Sequence, residues 1–465
     1  MTLSLSRRAF VAGSAVLPVA CTGLNRALPA SQTEPGPVNP LVRQRADAQV
    51  LRHDDGFYYL TGSVPEYDRL VLRRSKTIAG LATAEERVLW RHQATGPMSG
   101  FIWAPELHLI DGRWIMYFAA GPSGGGEDVF RIRTFAVACD GPDPMTGNWQ
   151  VLGQFQAPWD SFCLDSTSFV HRGTRYFAWA QREPGIETNS NLYIAPLASP
   201  LTLARQATRL SVPTLDWEVR GFKVNEAPAV LARNGRLFMT YSASATDARY
   251  CLGLLSAPDD ADIMDPRVWT KAQEPVFVTC PETGVFGPGH NSFTVDEQGR
   301  DVLVYHGRDY DRIEGDPLFD PNRHTRVQRL YYKADGTPDF GVPVGNGPMP
   351  VRLLAADGVA LAHDGIRLVA GAATLAATQF RLIEDAPGVV TIAPILRRDD
   401  RVTIGEDGSL GLAPAVDGAA QRFLVQRAGS QSIRLESAAR RGVAIASGAT
   451  VALAPLGRAT AWKVD

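Results

Sequence analysis

Short apolar runs rich in aromatic and β-branched residues recur along the first three quarters of the chain, with no long helical pattern between them. Each unit has a polar anchor set among small or apolar residues, then a glycine turn, then an aromatic or β-branched strand. Asp47-Ala48-Gln49-Val50 leads through Gly56 to Phe57-Tyr58-Tyr59-Leu60, and Trp103-Ala104-Pro105-Glu106 through Gly112 to Trp114-Ile115-Met116-Tyr117. Leu164-Asp165-Ser166-Thr167 leads through Gly173 to Tyr176-Phe177-Ala178-Trp179, and Asn225-Glu226-Ala227-Pro228 through Gly235 to Leu237-Phe238-Met239. Gly289-His290-Asn291-Ser292 opens the fifth unit, which closes after Gly299 on Val302-Leu303-Val304-Tyr305.

The anchors Asp47, Glu106, Asp165, Glu226 and His290 follow one another at steps of about sixty residues. Repeated strand–turn–strand units predict the blades of an all-β, five-bladed β-propeller over residues 41–345. Innermost strands line the central channel, so matched polar residues in successive units converge on one axis. A buried carboxylate costs several kcal/mol unless it is paired or hydrogen-bonded, and a ring of them marks a site rather than packing.

From residue 351 the chain turns rich in Ala, Val and Arg and poor in aromatics, after a Pro/Gly-rich bridge at 341–350. Similar strands recur there at Gln379-Phe380-Arg381-Leu382, Arg422-Phe423-Leu424-Val425 and Ala461-Trp462-Lys463-Val464. Three all-β units of about forty residues predict a β-trefoil over 351–465. Within it, His363-Asp364 is the pair best suited to a sugar pocket.

Composition narrows the function. The 465 residues carry 47 Lys and Arg against 49 Asp and Glu, a net charge of −2, which supplies no basic surplus for nucleic acid. Gly124-Gly125-Gly126 lacks the Lys-Ser/Thr that a phosphate cradle needs. Five cysteines contain no CxxC pair, so no zinc or redox motif is present, and buried thiols or one or two disulfides both remain open. At the N-terminus, Arg7-Arg8 precedes an apolar run from Ala9 to Cys21 that is too short to span a bilayer. Residues 1–40 therefore read as a twin-arginine signal and linker, with the mature protein periplasmic or extracellular. Leu17-Pro18-Val19-Ala20-Cys21 is similar to a lipobox, which makes Cys21 a candidate lipid anchor.

These motifs together, from Asp47 through Trp103-Ala104-Pro105-Glu106, Leu164-Asp165, Asn225-Glu226-Ala227-Pro228 and Gly289-His290-Asn291-Ser292, resemble glycoside hydrolase family 43. Val64-Pro65-Glu66-Tyr67-Asp68-Arg69 and Gly96-Pro97-Met98-Ser99 resemble its exo-acting α-L-arabinofuranosidase branch, and the tail is similar to its arabinose-binding trefoils. The resemblance implies an inverting hydrolase that releases terminal arabinofuranose from α-1,5-arabinan or arabino-oligosaccharides. It implies Asp47 as general base, Glu226 as general acid, and Asp165 as the carboxylate that orients the acid and raises its pKa. Trp103 and Arg326 are the implied substrate contacts, Glu106 a structural residue, and His290 the neighbour, through water, of a calcium or other channel cation. No redox or nucleotide cofactor and no protein partner are implied.

The chemistry agrees independently. Glycoside hydrolysis by inversion needs one protonated and one ionised carboxyl, about 6.5–9.5 Å apart. A β-xylosidase or endo-arabinanase shares these carboxylates and differs in pocket shape, while a retaining fructosidase brings the pair to about 5–5.5 Å. A glycan-binding propeller without catalysis has no use for all three acids.

Overall fold

The computed structural model describes residues 36–123, 129–371 and 374–465, which form one compact all-β unit. The twin-arginine stretch, Cys21 and Gly124-Gly125-Gly126 lie outside the described residues.

Five antiparallel sheets follow one another along the chain as the blades of a five-bladed propeller. Their innermost strands are Ala46–Arg52, Gly100–Ile110, Cys163–His171, Asn225–Arg233 and Phe286–Val295. The glycine turns behave as expected. Asp111-Gly112, Arg172-Gly173 and Asn234-Gly235 all have positive φ and form two-residue hairpin loops, a geometry for which glycine carries no steric cost. Aromatic residues of the second and third strands, among them Tyr117, Phe177, Trp179, Tyr193 and Tyr241, pack between blades as one buried cluster.

Blade 5 has only three strands of its own, Phe286–Val295, Asp301–Arg308 and His324–Arg329. Residues 39–42 cover the outer edge that remains. Leu41 N–H donates to Thr325 O at 2.8 Å, and Thr325 N–H to Val42 O at 2.9 Å. Asn39 uses its buried side-chain amide as a surrogate strand, donating to Val327 O and accepting from Val327 N–H, both at 2.8 Å. Having closed blade 5, the chain enters blade 1 directly. Ser292 donates to Ala48 O at 2.9 Å on the channel side of the same junction.

Beyond Gly347–Pro348, which pairs with Val38–Asn39, the remaining chain builds an eight-stranded sheet and two separate hairpins around a second core. Phe380, Phe423 and Trp462, the three recurring aromatics, are fully buried together in that core. His363 does not form a pocket with Asp364. Its ring is buried against Phe380, and the Asp364 carboxylate accepts from the Ile366 and Arg367 amides of its own turn. The tail joins the propeller through Arg381, which donates to Gly345 O at 2.9 Å and Pro348 O at 3.2 Å. Cys139, Cys163, Cys251 and Cys280 are buried free thiols.

If Asn39 is what seals the ring, Asn39→Ala strands a buried amide and a buried carbonyl of Val327. The expected loss is about 1–3 kcal/mol in urea-unfolding midpoint terms, against less than about 0.5 kcal/mol for the same change at the exposed Asn148.

Candidate active site

The inner strands start at the mouth of the channel, and each starts with a bulge. The ladder register shifts between Ala46 and Gln49, Trp103 and Glu106, Leu164 and Thr167, Glu226 and Ala229, and Gly289 and Ser292. In every blade the first residue after the break has left-handed backbone: Asp47 (φ 54°), Ala104 (46°), Asp165 (49°), Ala227 (52°) and His290 (41°). A bulge re-aims the side chains around it and is common beside active sites. Holding a non-glycine residue there costs about 1–3 kcal/mol each, so packing alone does not favour it.

This backbone corrects the register of the repeat. Asp47, Asp165 and His290 occupy the bulge itself, but Glu226 stands one residue before it, at the position of Trp103 in blade 2. Trp103-Ala104-Pro105 and Glu226-Ala227-Pro228 are the true counterparts. Glu106 falls past the bulge and does not line the cavity; its Oε2 lies 3.0 Å from His108 Nε2. Gln49 holds the same register as Glu106 and clasps blade 2, accepting from Leu107 N–H at 2.6 Å and donating to Leu107 O at 3.2 Å.

Asp47, Asp165, Glu226, His290 and Trp103 all line one cavity of about 110 Å³, together with two residues absent from the sequence reading, Tyr250 and Arg323. Polar and apolar side chains share its lining, with Val129, Phe162, Phe222 and Leu318 among the apolar ones. Arg326 is not there. It is wholly buried behind blade 5, bonded to Asp309, Asn346 and Val344 O, where it ties the blade to the bridge into the tail. The cavity's guanidinium belongs to Arg323, at the end of the 309–323 connector. It donates to Asp47 Oδ1 at 3.3 Å and to Tyr67 Oη at 2.8 Å. Tyr67 in turn donates to Leu318 O of the same connector, so this loop walls the pit against blade 1.

The carboxyls are held in opposite states. Burial alone would raise Asp47, but the Arg323 guanidinium, His290 and His306 together outweigh it, and Asp47 sits well below the usual carboxylate range. Ser63 adds a hydrogen bond to its Oδ2 at 2.6 Å. Burial raises Glu226 to about 7, with the Asp47 charge adding to the rise and the Tyr250 hydrogen bond opposing it. Asp165 is held well above the carboxylate range by burial, then by the charges of Glu226 and Asp47. It is therefore not a plain ionised neighbour that raises Glu226; two carboxyls in one dry pit compete for protons.

Both histidines are pushed down by burial, His306 to about 4, and are neutral at pH 7. His306 Nδ1 lies 3.1 Å from the Asp47 amide nitrogen and 3.2 Å from Asp47 Oδ1. His290 Nδ1 lies 3.4 Å from Asp47 Oδ1 and 3.8 Å from Asp165 Oδ2. Among the described residues no three His, Cys, Asp or Glu side chains are arranged to hold a metal ion directly, so the donor set does not fit a cation bound without intervening water.

A propeller with three convergent carboxyls at its channel mouth, one ionised and two biased toward protonation, has the architecture and the paired proton states of a glycoside hydrolase. Residues 37–338 match the family model for glycosyl hydrolases family 43. Alpha-L-arabinofuranosidase 43 of Humicola insolens is 53% identical over 363 residues, covering 76% of this chain and 74% of that protein. The extracellular exo-alpha-(1->5)-L-arabinofuranosidase of Streptomyces avermitilis is 50% identical over 360 residues, with 76% and 74% covered. The crystal structure of alpha-L-arabinofuranosidase from Lactobacillus brevis superposes with a TM-score of 0.65 at 50% identity, covering 67% of this chain and 98% of that one. The chain belongs to glycosyl hydrolases family 43.

Carboxyl-resolved 13C NMR should show Glu226 titrating near 7 while Asp47 is still ionised at about pH 4. In Arg323→Gln the Asp47 midpoint should rise by roughly one to three pH units, the effect of removing an opposite charge at this range; an unmoved midpoint would mean that Arg323 does not set it.

Proposed function

We propose that this chain is an inverting exo-α-L-arabinofuranosidase acting on α-1,5-arabinan or arabino-oligosaccharides. The observation that carries the reading is the pit itself: Asp47 and Glu226 share one walled cavity and have opposite proton affinities. The relatives' names support the sugar and the exo mode, and the 309–323 connector, closing one side, favours a chain end over a chain passing through.

Asp47 is the general base. It takes a proton from a water whose oxygen bonds to the anomeric carbon, while the bond from that carbon to the glycosidic oxygen breaks and its electron pair stays with the oxygen. Glu226 gives that oxygen its proton, and the two carboxyls return to their starting states through solvent. Asp165 receives a hydrogen bond from the Ala227 amide, adjoining Glu226; its role is to hold the blade 4 bulge and to keep negative charge scarce around the acid. Trp103, packed edge-on against Tyr67 at 5.5 Å and Phe101 at 5.3 Å, offers the furanose an apolar wall. A channel cation would be held near His290 through water and would supply electrostatic stabilisation there.

Export by the twin-arginine route, anchoring through Cys21 and a sugar-binding trefoil over 351–465 belong to the same reading. The extracellular relative from Streptomyces avermitilis supports the compartment, and no helix among the described residues is long and apolar enough to cross a membrane.

Glu226→Gln should bind arabino-oligosaccharide and release arabinose at least ~100-fold more slowly than wild type, the usual scale for a lost acid catalyst. In the wild-type reaction, 1H NMR should show the β-anomer first, with the α-anomer appearing only by mutarotation. Initial α-product, or full activity in the variant, would overturn the assignment.

A further inference from the structure

Tyr250 is fixed more tightly than any aromatic wall residue needs to be. It precedes the third strand of blade 4, Cys251–Pro258, and its amide closes a turn onto Asp247 O at 3.1 Å. The ring is 2% exposed and lies parallel to the His306 ring, at 5.7 Å and 1°. Its other neighbour is the Gly289 backbone: a Cβ there would stand 2.3 Å from both Cδ1 and Cε1 of Tyr250, so only glycine admits the ring. The hydroxyl donates to Glu226 Oε1 at 2.7 Å and is itself bonded by Ser242. Ser242 lies opposite Glu226 in the ladder, and its Oγ also accepts the His290 amide at 2.8 Å.

Resting on the reading of Glu226 as proton donor, we propose that Tyr250 is the positioning residue of the acid: by occupying Oε1 it leaves the transferable proton on Oε2, and it stabilises the carboxylate formed when that proton leaves. The proton passes from Oε2 to the glycosidic oxygen as the carbon–oxygen bond breaks, and Tyr250 keeps its own. Burial and the surrounding carboxyls hold the phenol far above its ordinary range, so it remains a donor throughout. The charged and titratable groups around Glu226 are Asp47 of blade 1, Asp165 of blade 3 and Arg323 of the blade 5 connector, with neutral His290 and His306 beyond Asp47. Of the hydrogen-bonding groups acting on Glu226, Tyr250 is the one whose removal leaves every charge in place.

Tyr250→Phe keeps the ring and deletes the hydroxyl. The Glu226 midpoint, followed by carboxyl 13C NMR, should rise by about one pH unit, and the alkaline limb of kcat/KM should rise with it. Hydrolysis of methyl α-L-arabinofuranoside, whose leaving alcohol needs the proton, should fall about tenfold, and that of the nitrophenyl arabinofuranoside less than about twofold. Gly289→Ala, which pushes the ring away, should shift the midpoint in the same direction and decides the matter if the first variant does not fold. A folded variant whose Glu226 midpoint stays put or falls overturns the proposal, as does equal loss on both substrates. If wild type releases no arabinose yet the midpoint moves as stated, the functional reading fails and the Tyr250–Glu226 link stands.

Discussion

One guanidinium stands among three carboxyls, and the chemistry of the pit follows from that imbalance. Arg323 is buried, and of the three carboxyls it hydrogen-bonds Asp47. Together with His290 and His306, its charge offsets the desolvation of one carboxylate, not three. The other two acids face the same dry surroundings without a cation of their own, and protonation is the cheapest way to remain there. The division of labour between a base and an acid therefore does not require two finely different local environments. It needs one positive charge placed on one side of the cavity.

Placing that charge is a problem of backbone geometry. The five bulges turn the starts of five inner strands toward a common point, each at the expense of a left-handed residue that an unbroken strand would avoid. A closed ring of blades makes the strain tolerable, since no single strand can straighten without disturbing its neighbours. The ring itself is sealed by a segment of only a few residues, Asn39 to Val42, laid along the edge of blade 5. Strain at the channel mouth and closure at the rim are thus two parts of one design, with site geometry resting on contacts far from the site.

Much of this is written in the repeat. Five units, their hairpin glycines, and the convergence of Asp47, Asp165, Glu226 and His290 can be read from spacing alone, because blades repeat and channel residues repeat with them. Register is less legible. Counting positions aligned Glu106 with the other anchors, whereas the bulge inserts an unpaired residue and makes Trp103 the partner of Glu226; the shared Ala-Pro that follows both was the available signal. Arg323 and Tyr250 escaped because they come from connectors, which have no counterpart in other blades. Arg326, the substrate contact that the resemblance implies, is buried and bonded to Val344 O, away from the cavity. In a repeat fold, what is common to the units is visible and what one loop adds is not.

The electrostatics also carry a stability cost whose sign can be worked out. Asp47, with its pKa lowered on folding, stabilises the native state above its unfolded value and loses that contribution as pH falls through the folded one. Glu226 and Asp165, raised on folding, behave oppositely: their contribution is full below the unfolded carboxylate range and is lost as pH rises, through about 7 for Glu226. For Glu226 alone the difference is on the order of 3 kcal/mol. At neutral pH the pit is thus already spending part of the stability that the blades supply, and it does so at the pH where the acid must be half ready to give up its proton. A site built for proton donation near neutrality is destabilising there by the same physical term that makes it work. The large aromatic packing between blades and the doubly bonded closure at Asn39 are what leave room for it.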